Sequence, residues 1–174
     1  TKVVIVLTLV VIVIYIALAF RRISRPIASW QYGIASVLAL GHDILITFGL
    51  FAVLGHLYDV QITIPVITAF LVILGYSVNN TVVVFDRIRE NLLKVGGDYE
   101  KVVNHSLKET LTRSINTSLT TLFVLLSLFF LGGETLRYFS LALIAGIVVG
   151  TYSSLLLAGP LLVSWFKFKE RKAS

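Results

Sequence analysis

The chain has 174 residues, of which 57% are hydrophobic and only 14% are charged, whereas a soluble domain carries about 25% charged residues. Cysteine is absent, which excludes disulfides and thiol chemistry. His42, His56 and His105 share no metal-ligand spacing with a carboxylate, so we predict neither a metal site nor a cofactor. The net charge of +6 is compatible with nucleic-acid binding or with basic loops beside a membrane.

Five apolar runs are long enough to cross a bilayer. A helix rises 1.5 Å per residue, so a hydrocarbon core of about 30 Å needs about 20 apolar residues. Backbone amides in hydrocarbon must be paired within the segment, so each run is predicted to be an α-helix. The predicted fold class is therefore an all-α integral membrane protein, a five-helix transmembrane bundle. The spans cover approximately residues 3–20, 34–57, 62–85, 114–131 and 138–166.

The segment 86–113 differs from the spans on either side of it. Gly96 and Gly97 form a break, and Asp98 is suited to cap the N-terminus of a following helix. Apolar and small residues then recur at three- and four-residue spacing: Tyr99, Val102, Val103, Ser106, Leu107 and Leu111. This pattern predicts an amphipathic helix that lies at the membrane surface or against the bundle.

The basic residues are distributed unequally between the two sets of loops. The loop at 21–25, the segment 86–113 and the C-terminal tail carry 13 of the 15 Lys and Arg residues. The opposite set carries only Lys2 and Arg137. The positive-inside rule therefore places the basic set and the C-terminus in the cytoplasm. This topology accounts for the net charge, so we predict a multi-pass protein of the cell membrane that contacts lipid and no nucleic acid.

Asp43 lies about nine residues inside the second span, or roughly 13 Å deep at 1.5 Å per residue. A charge at this depth costs at least about 2.5 kcal/mol, so a carboxylate retained there usually faces a protein interior and has a function. A carboxyl group so placed is suited to taking up and releasing protons. The structural alternative is an aspartate bonded to nearby hydroxyls or to His42, which precedes it on a different face of the helix.

Further polar residues lie in the third and fourth spans. Asn80 shares a helix face with Tyr76, and an intramembrane asparagine commonly joins two helices. Arg113, Thr117 and Thr120 form a polar stripe on the fourth span. Arg113 either extends to the lipid headgroups or points into the bundle, where it could pair with Asp43.

The last span and the cytoplasmic boundary carry weaker signals. Gly146 and Gly150 form a Gly-x-x-x-Gly pattern, which lets another helix approach closely. Pro160 is predicted to kink the same span. Glu90 and Lys94 have the favourable i,i+4 order for an ion pair. The sequence contains neither a Gly-rich phosphate loop nor a credible Ser/His/Asp arrangement, so we expect no ATP hydrolysis and no enzymatic activity.

Four motifs together resemble the SecF family of protein-export membrane subunits. They are residues 40–43 (Leu-Gly-His-Asp), 75–91 (beginning Gly-Tyr-Ser-Val-Asn-Asn), 112–118 (beginning Thr-Arg-Ser) and 150–154 (Gly-Thr-Tyr-Ser-Ser). The resemblance implies half of a membrane domain of the resistance-nodulation-division (RND) superfamily. SecF has six membrane helices, so this chain is expected to hold helices two to six and to lack the first helix and the periplasmic domain that follows it.

The resemblance also implies a function and partners. SecF works with SecD, separate or fused, beside the SecYEG channel, and uses proton flow to help draw preproteins outward. The family's proton-relay arginine falls on Arg113, and the aspartate of its His-Asp motif falls on Asp43. Asn80 stands where the family usually has an aspartate. Asn cannot titrate, so either SecD supplies the carboxylate at this point, or the residue is an engineered substitution.

Two other functions stay open. A half-transporter of the same superfamily, moving a lipid or a small hydrophobic molecule, would have a similar bundle. A scaffold that stabilises a channel complex would depend only on packing positions such as Gly146 and Gly150. Copurification with SecD favours export over lipid transport, and a scan of the polar membrane residues separates both of these from a scaffold.

Overall fold

The computed structural model describes Leu7, Ile14 and residues 29–94 and 97–173. This part of the chain is helical apart from short turns, which confirms an all-α membrane bundle. Apart from Leu7 and Ile14, the first predicted span, residues 3–20, lies outside the described residues. The elements are α1 (Ser29–Tyr58), α2 (Ile64–Lys94), α3 (Tyr99–Leu131), α4 (Glu134–Ser153), a π-helical turn (Ser154–Ala158) and α5 (Gly159–Ala173).

The helices extend well past the predicted spans. α2 and α3 contain 31 and 33 residues, or about 46 and 50 Å of helix. The segment 86–113 is therefore not a separate helix, because its first part completes α2 and its second part is the start of α3. No Gly or Pro interrupts the sequence from Asp98 to Leu131. The hydropathy pattern predicts where a helix leaves the hydrocarbon core, and the helical backbone can continue beyond that point.

Tight turns join the helices at both ends of the bundle. Asp59 adopts a positive φ of 52° between α1 and α2, and Gly97 adopts a φ of 93° before α3. Asp98 caps α3 as predicted, since its carboxylate accepts a hydrogen bond from the Glu100 amide at 3.1 Å. We call the end with Asp59 the turn end and the end with Asp98 the basic end.

α4 and α5 form one continuous membrane-crossing rod, and a π-helical turn joins them. The turn ends two residues before Pro160. Proline lacks an N–H, and its ring collides with the carbonyl four residues earlier. A wider turn relieves that collision, and π-turns occur inside α-helices as single insertions. At the basic end, Trp165 of α5 packs edge-on against Trp30 of α1 with ring centroids 5.2 Å apart.

The α4 rod is the centre of the bundle. It contacts α1, α2 and α3. Half of its most apolar stretch is buried inside the bundle, whereas only 17% of the corresponding stretch of α3 is buried. Buried apolar side chains form two clusters. The basic-end cluster surrounds Tyr32 and Phe85, and the turn-end cluster surrounds Phe51, Ile73 and Leu143. α3 therefore leaves most of its membrane surface uncovered by the described helices.

Candidate functional site

Asp43 is completely buried at the contact of α1, α2 and the α4 rod. Its Oδ2 accepts a hydrogen bond of 2.5 Å from Ser77 Oγ on α2, and its Oδ1 lies 3.2 Å from His42 Nδ1. Gly150 of α4 supplies the third side, where a Cβ atom would lie 3.4 Å from Oδ2. Three helices thus hold one carboxyl group between the two apolar clusters.

His42 lies closer to Asp43 than their different helix faces suggested. The imidazole turns back along the helix to reach the carboxyl group, and 28% of its side chain remains exposed. Its outer side lies near Tyr152, with ring centroids 6.1 Å apart. These contacts are the ones that a structural aspartate would make, while complete burial is what a proton carrier requires. The role of Asp43 therefore stays a prediction.

A cluster of three hydroxyls lies beside the carboxyl group. Ser118 Oγ of α3 is 2.9 Å from the Tyr76 hydroxyl of α2 and 2.5 Å from Thr151 Oγ1 of α4. Tyr76 directly precedes Ser77, and Thr151 directly follows Gly150. The hydroxyl cluster therefore joins α2, α3 and α4 at the depth of Asp43. The sequence indicated this cluster only indirectly, through the polar residues around Tyr76 in α2 and the Gly-Thr-Tyr motif at 150–152.

Asn80 is 5% exposed and lies one helical turn from Tyr76, towards the basic end. Its amide Nδ2 is buried and has no hydrogen-bond partner in the structure. A buried donor left unpaired costs about 1–3 kcal/mol. Among the described residues, the Asn80 amide nitrogen therefore makes no hydrogen bond that joins two helices, although joining helices is the role that an intramembrane asparagine most often has.

Arg113 lies on the exposed side of α3. It borders a pocket of about 390 Å³ at the basic end, and the threonines at its later stripe positions, Thr117 and Thr120, are also exposed. No ion pair joins Arg113 to Asp43 among the described residues, because Asp43 is enclosed by α1, α2 and α4. The structure thus keeps the carboxyl group and the guanidinium group apart, and the relay role of Arg113 stays a prediction.

The two glycines of α4 meet α2 in different ways. A Cβ at Gly146 would lie only 2.3 Å from Ile73 Cγ1, whereas a Cβ at Gly150 would meet Ser77 Cβ at an ordinary 3.5 Å. At Gly146 the side chain of Ile73 therefore packs directly on the α4 backbone and occupies the place that a Cβ would need. Gly150 leaves room beside Asp43 and Ser77.

Charged residues join α2 and α3 at the basic end. Arg87 Nε and Nη2 donate to the two carboxylate oxygens of Glu109 at 2.8 and 2.9 Å. Lys94 pairs with Glu90 at 2.5 Å, as the i,i+4 spacing predicted. Asn91 Nδ2 donates to Ser106 Oγ at 2.9 Å. No group of three His, Asp or Glu side chains is placed to hold a metal ion in the part of the chain that the structure describes.

Known proteins resemble the chain over most of its length. The family described as "Protein export membrane protein SecD/SecF, C-terminal" matches residues 1–168. The protein translocase subunit SecF of Thermobaculum terrenum is 52% identical over 152 residues, covering 87% of this chain and 47% of the relative. The protein translocase subunit SecDF of Thermus thermophilus is 44% identical over 155 residues, covering 88% of this chain and 20% of the relative.

A solved structure has the same fold. The crystal structure of SecDF in its super-membrane-facing form superposes with a TM-score of 0.82 at 43% sequence identity. The match covers 95% of this chain and 21% of that one. The chain thus spans about half the length of the SecF relatives and about a fifth of the SecDF proteins. The chain belongs to the SecD/SecF family of protein-export membrane proteins.

Proposed function

We propose that this chain is the membrane bundle of a SecF subunit that uses proton flow to assist the late steps of protein export. The observation that carries the proposal is the complete burial of the Asp43 carboxyl group inside a bundle of membrane-spanning helices. An intramembrane ionisable residue is expensive, and such residues mark ion and proton pathways. The family membership supplies the export role, and Asp43 supplies a group that can bind a proton.

α3, the helix that the other described helices cover least, provides the surface on which a second bundle packs. Arg113, Thr117 and Thr120 are exposed along α3, and polar side chains facing lipid are unfavourable. SecD covers this stripe in the proposed complex, and one relative carries both names in a single chain, SecDF. Since Asn80 cannot titrate, SecD supplies the titratable carboxylate that this chain lacks at position 80 in the proposed relay. The SecYEG channel and the preprotein are further partners, and the basic end faces the cytoplasm.

Export assays on the full-length subunit test the proposal. Asp43→Asn and Arg113→Ala are each introduced into the subunit together with SecD and the channel in membrane vesicles. We expect both variants to abolish the proton-dependent stimulation of preprotein export. Asp59→Asn is the matched control, because it makes the same chemical change in the turn outside the membrane. Normal stimulation by both variants would show that the relay assignment is wrong.

One surface feature favours the alternative of lipid transport. An apolar groove of about 380 Å³ runs between α3 and the α4 rod, lined by residues such as Ile115, Leu119 and Val148. A lipid tail fits such a groove. Purification in mild detergent separates the two functions: SecD bound to the subunit supports export, whereas a homo-oligomer with tightly bound lipid supports lipid transport.

A further inference from the structure

Among the described residues, side-chain hydrogen bonds between α2 and α3 lie from the depth of Asp43 to the basic end. Starting from the basic end, Asn91 bonds Ser106, and Arg87 bonds Glu109 one turn deeper. The series ends at Tyr76 and Ser118, beside Asp43. α2 and α3 run antiparallel, so the bonded residues lie progressively earlier in α2 and progressively later in α3 as the series goes deeper.

The middle of this series is open to solvent. The pocket of about 390 Å³ opens at the Arg87–Glu109 pair, and Val83, Thr110 and Arg113 form its wall on the side of the hydroxyl cluster. This volume holds several water molecules at about 30 Å³ each. One turn deeper than Val83 is Asn80, whose buried amide has no protein partner. A water molecule is the usual partner of such a group.

The turn-end half of the same interface is apolar. Ala69, Ile73 and Leu125 belong to the turn-end cluster, and among the described residues no side-chain hydrogen bond joins α2 to α3 beyond Tyr76. Hydroxyls in this half of the two helices donate to carbonyls of their own helix, as Thr68 of α2 does to Ile64 O and Ser127 of α3 does to Phe123 O. A closely packed apolar layer of this kind admits no water.

We propose that the α2–α3 interface is the cytoplasmic half of a proton pathway ending at Asp43, and that the turn-end cluster closes the extracytoplasmic half. Through the cytoplasmic half, by way of the hydroxyl cluster, Asn80 and the pocket, the Asp43 carboxyl group exchanges its proton with cytoplasmic water. Net proton flow needs this exchange together with a state in which the turn-end cluster opens to the other side. The pathway rests on the proposed function, because it gives the buried carboxyl group access to one side of the membrane.

Accessibility of single cysteines tests the pathway directly. The chain contains no cysteine, so each introduced thiol reports alone once any cysteines elsewhere in the full-length complex are replaced. Ser114→Cys probes the interface on the basic-end side of the hydroxyl cluster, and Leu125→Cys is the control on the turn-end side. The two positions are matched in burial, with exposed fractions of 4% and 6%. A membrane-impermeant thiosulfonate reagent is added to one side of the vesicles at a time.

The pathway predicts that cytoplasmic reagent modifies Ser114→Cys at least about tenfold faster than Leu125→Cys, a ratio equivalent to about 1.4 kcal/mol. Adding Asn80→Leu, which removes the amide, should slow the reaction at position 114. Equal rates at the two positions, or faster modification of Ser114→Cys from the extracytoplasmic side, would overturn the pathway. Thr110→Cys, in the pocket wall, gives the same comparison if Ser114→Cys does not assemble.

The outcomes distinguish this pathway from the proposed function. Suppose that cytoplasmic reagent modifies Ser114→Cys faster than Leu125→Cys, while the complex with Asp43→Asn exports preprotein normally. The cytoplasmic half of the pathway is then supported, and the proton-relay role of Asp43 is wrong. If Asp43→Asn abolishes stimulation while Ser114→Cys stays unreactive from the cytoplasm, Asp43 keeps its role and receives its proton by another route.

Discussion

Replacing Gly146 by alanine should separate α4 from α2. The new Cβ would lie 2.3, 2.4 and 2.7 Å from three side-chain atoms of Ile73, whereas carbon atoms in contact prefer about 3.5–4.0 Å. The helices must therefore move apart locally by at least about 1.2 Å. Ile73 is fully buried in the turn-end cluster, so it has little room to retreat. We expect a loss near the upper end of the ~1–3 kcal/mol range typical of overpacked cores.

Gly49→Ala is the control for the backbone effect of the same substitution. No atom lies within 4 Å of a Cβ at Gly49, so alanine should only improve helix propensity there, by up to about 1 kcal/mol. The assay is reversible unfolding of the full-length subunit in detergent, followed by helical circular dichroism. Gly146→Ala should be less stable than Gly49→Ala by about 3 kcal/mol, because both variants share the propensity gain and only Gly146→Ala is overpacked.

A double-mutant cycle identifies the cause of the loss. Ile73→Ala removes all three atoms that the new Cβ would meet, at the expense of a cavity. The double variant Gly146→Ala with Ile73→Ala should therefore be more stable than the sum of the single losses by at least about 1 kcal/mol. If Gly146→Ala is as stable as the parent chain, or if the two losses simply add, the close contact of α4 with α2 is not what holds these helices together.

Three further variants test smaller parts of the account by the same unfolding assay. Ser77→Ala leaves Asp43 Oδ2 without its donor and should cost about 1–3 kcal/mol; an unchanged stability would mean that the short contact contributes nothing. Glu109→Gln weakens the pair with Arg87, but both side chains are about one-third exposed, so the loss should stay below about 1 kcal/mol and shrink in high salt; a larger, salt-independent loss would contradict a solvated pair. Asp98→Ala should cost about 1 kcal/mol through the start of α3, with faster hydrogen exchange confined to its first turn; exchange that rises throughout α3 would contradict a local cap.

Local signals in the sequence predicted the fold well. Four of the predicted spans fall within helices that are long and apolar enough to cross a membrane, because hydrocarbon requires a similar length of every span. The Asp98 cap and the Glu90–Lys94 pair were also correct, since both depend on neighbours within one helix. The helices α2 and α3 extend past the spans predicted for them, because a helix that leaves the membrane can continue through charged residues.

Contacts across helices could not be predicted from spacing. Ser77 as the donor to Asp43 and Ser118 as the centre of the hydroxyl cluster depend on which faces of α1, α2, α3 and α4 meet. The rotation of each helix is set by packing, such as the contact of Gly146 with Ile73. A pairing of Asp43 with Arg113 was reasonable on depth alone, but it requires α3 to turn its polar stripe inward. The structure turns that stripe outward.

The central claim is that Asp43 carries the proton, and proton flux across a membrane measures it most directly. The full-length complex is reconstituted into vesicles containing a pH-sensitive dye, and flux is followed under an imposed gradient. The account predicts that Asp43→Asn abolishes the flux and that Asp59→Asn leaves it intact. A flux in Asp43→Asn equal to that of the parent complex would contradict it.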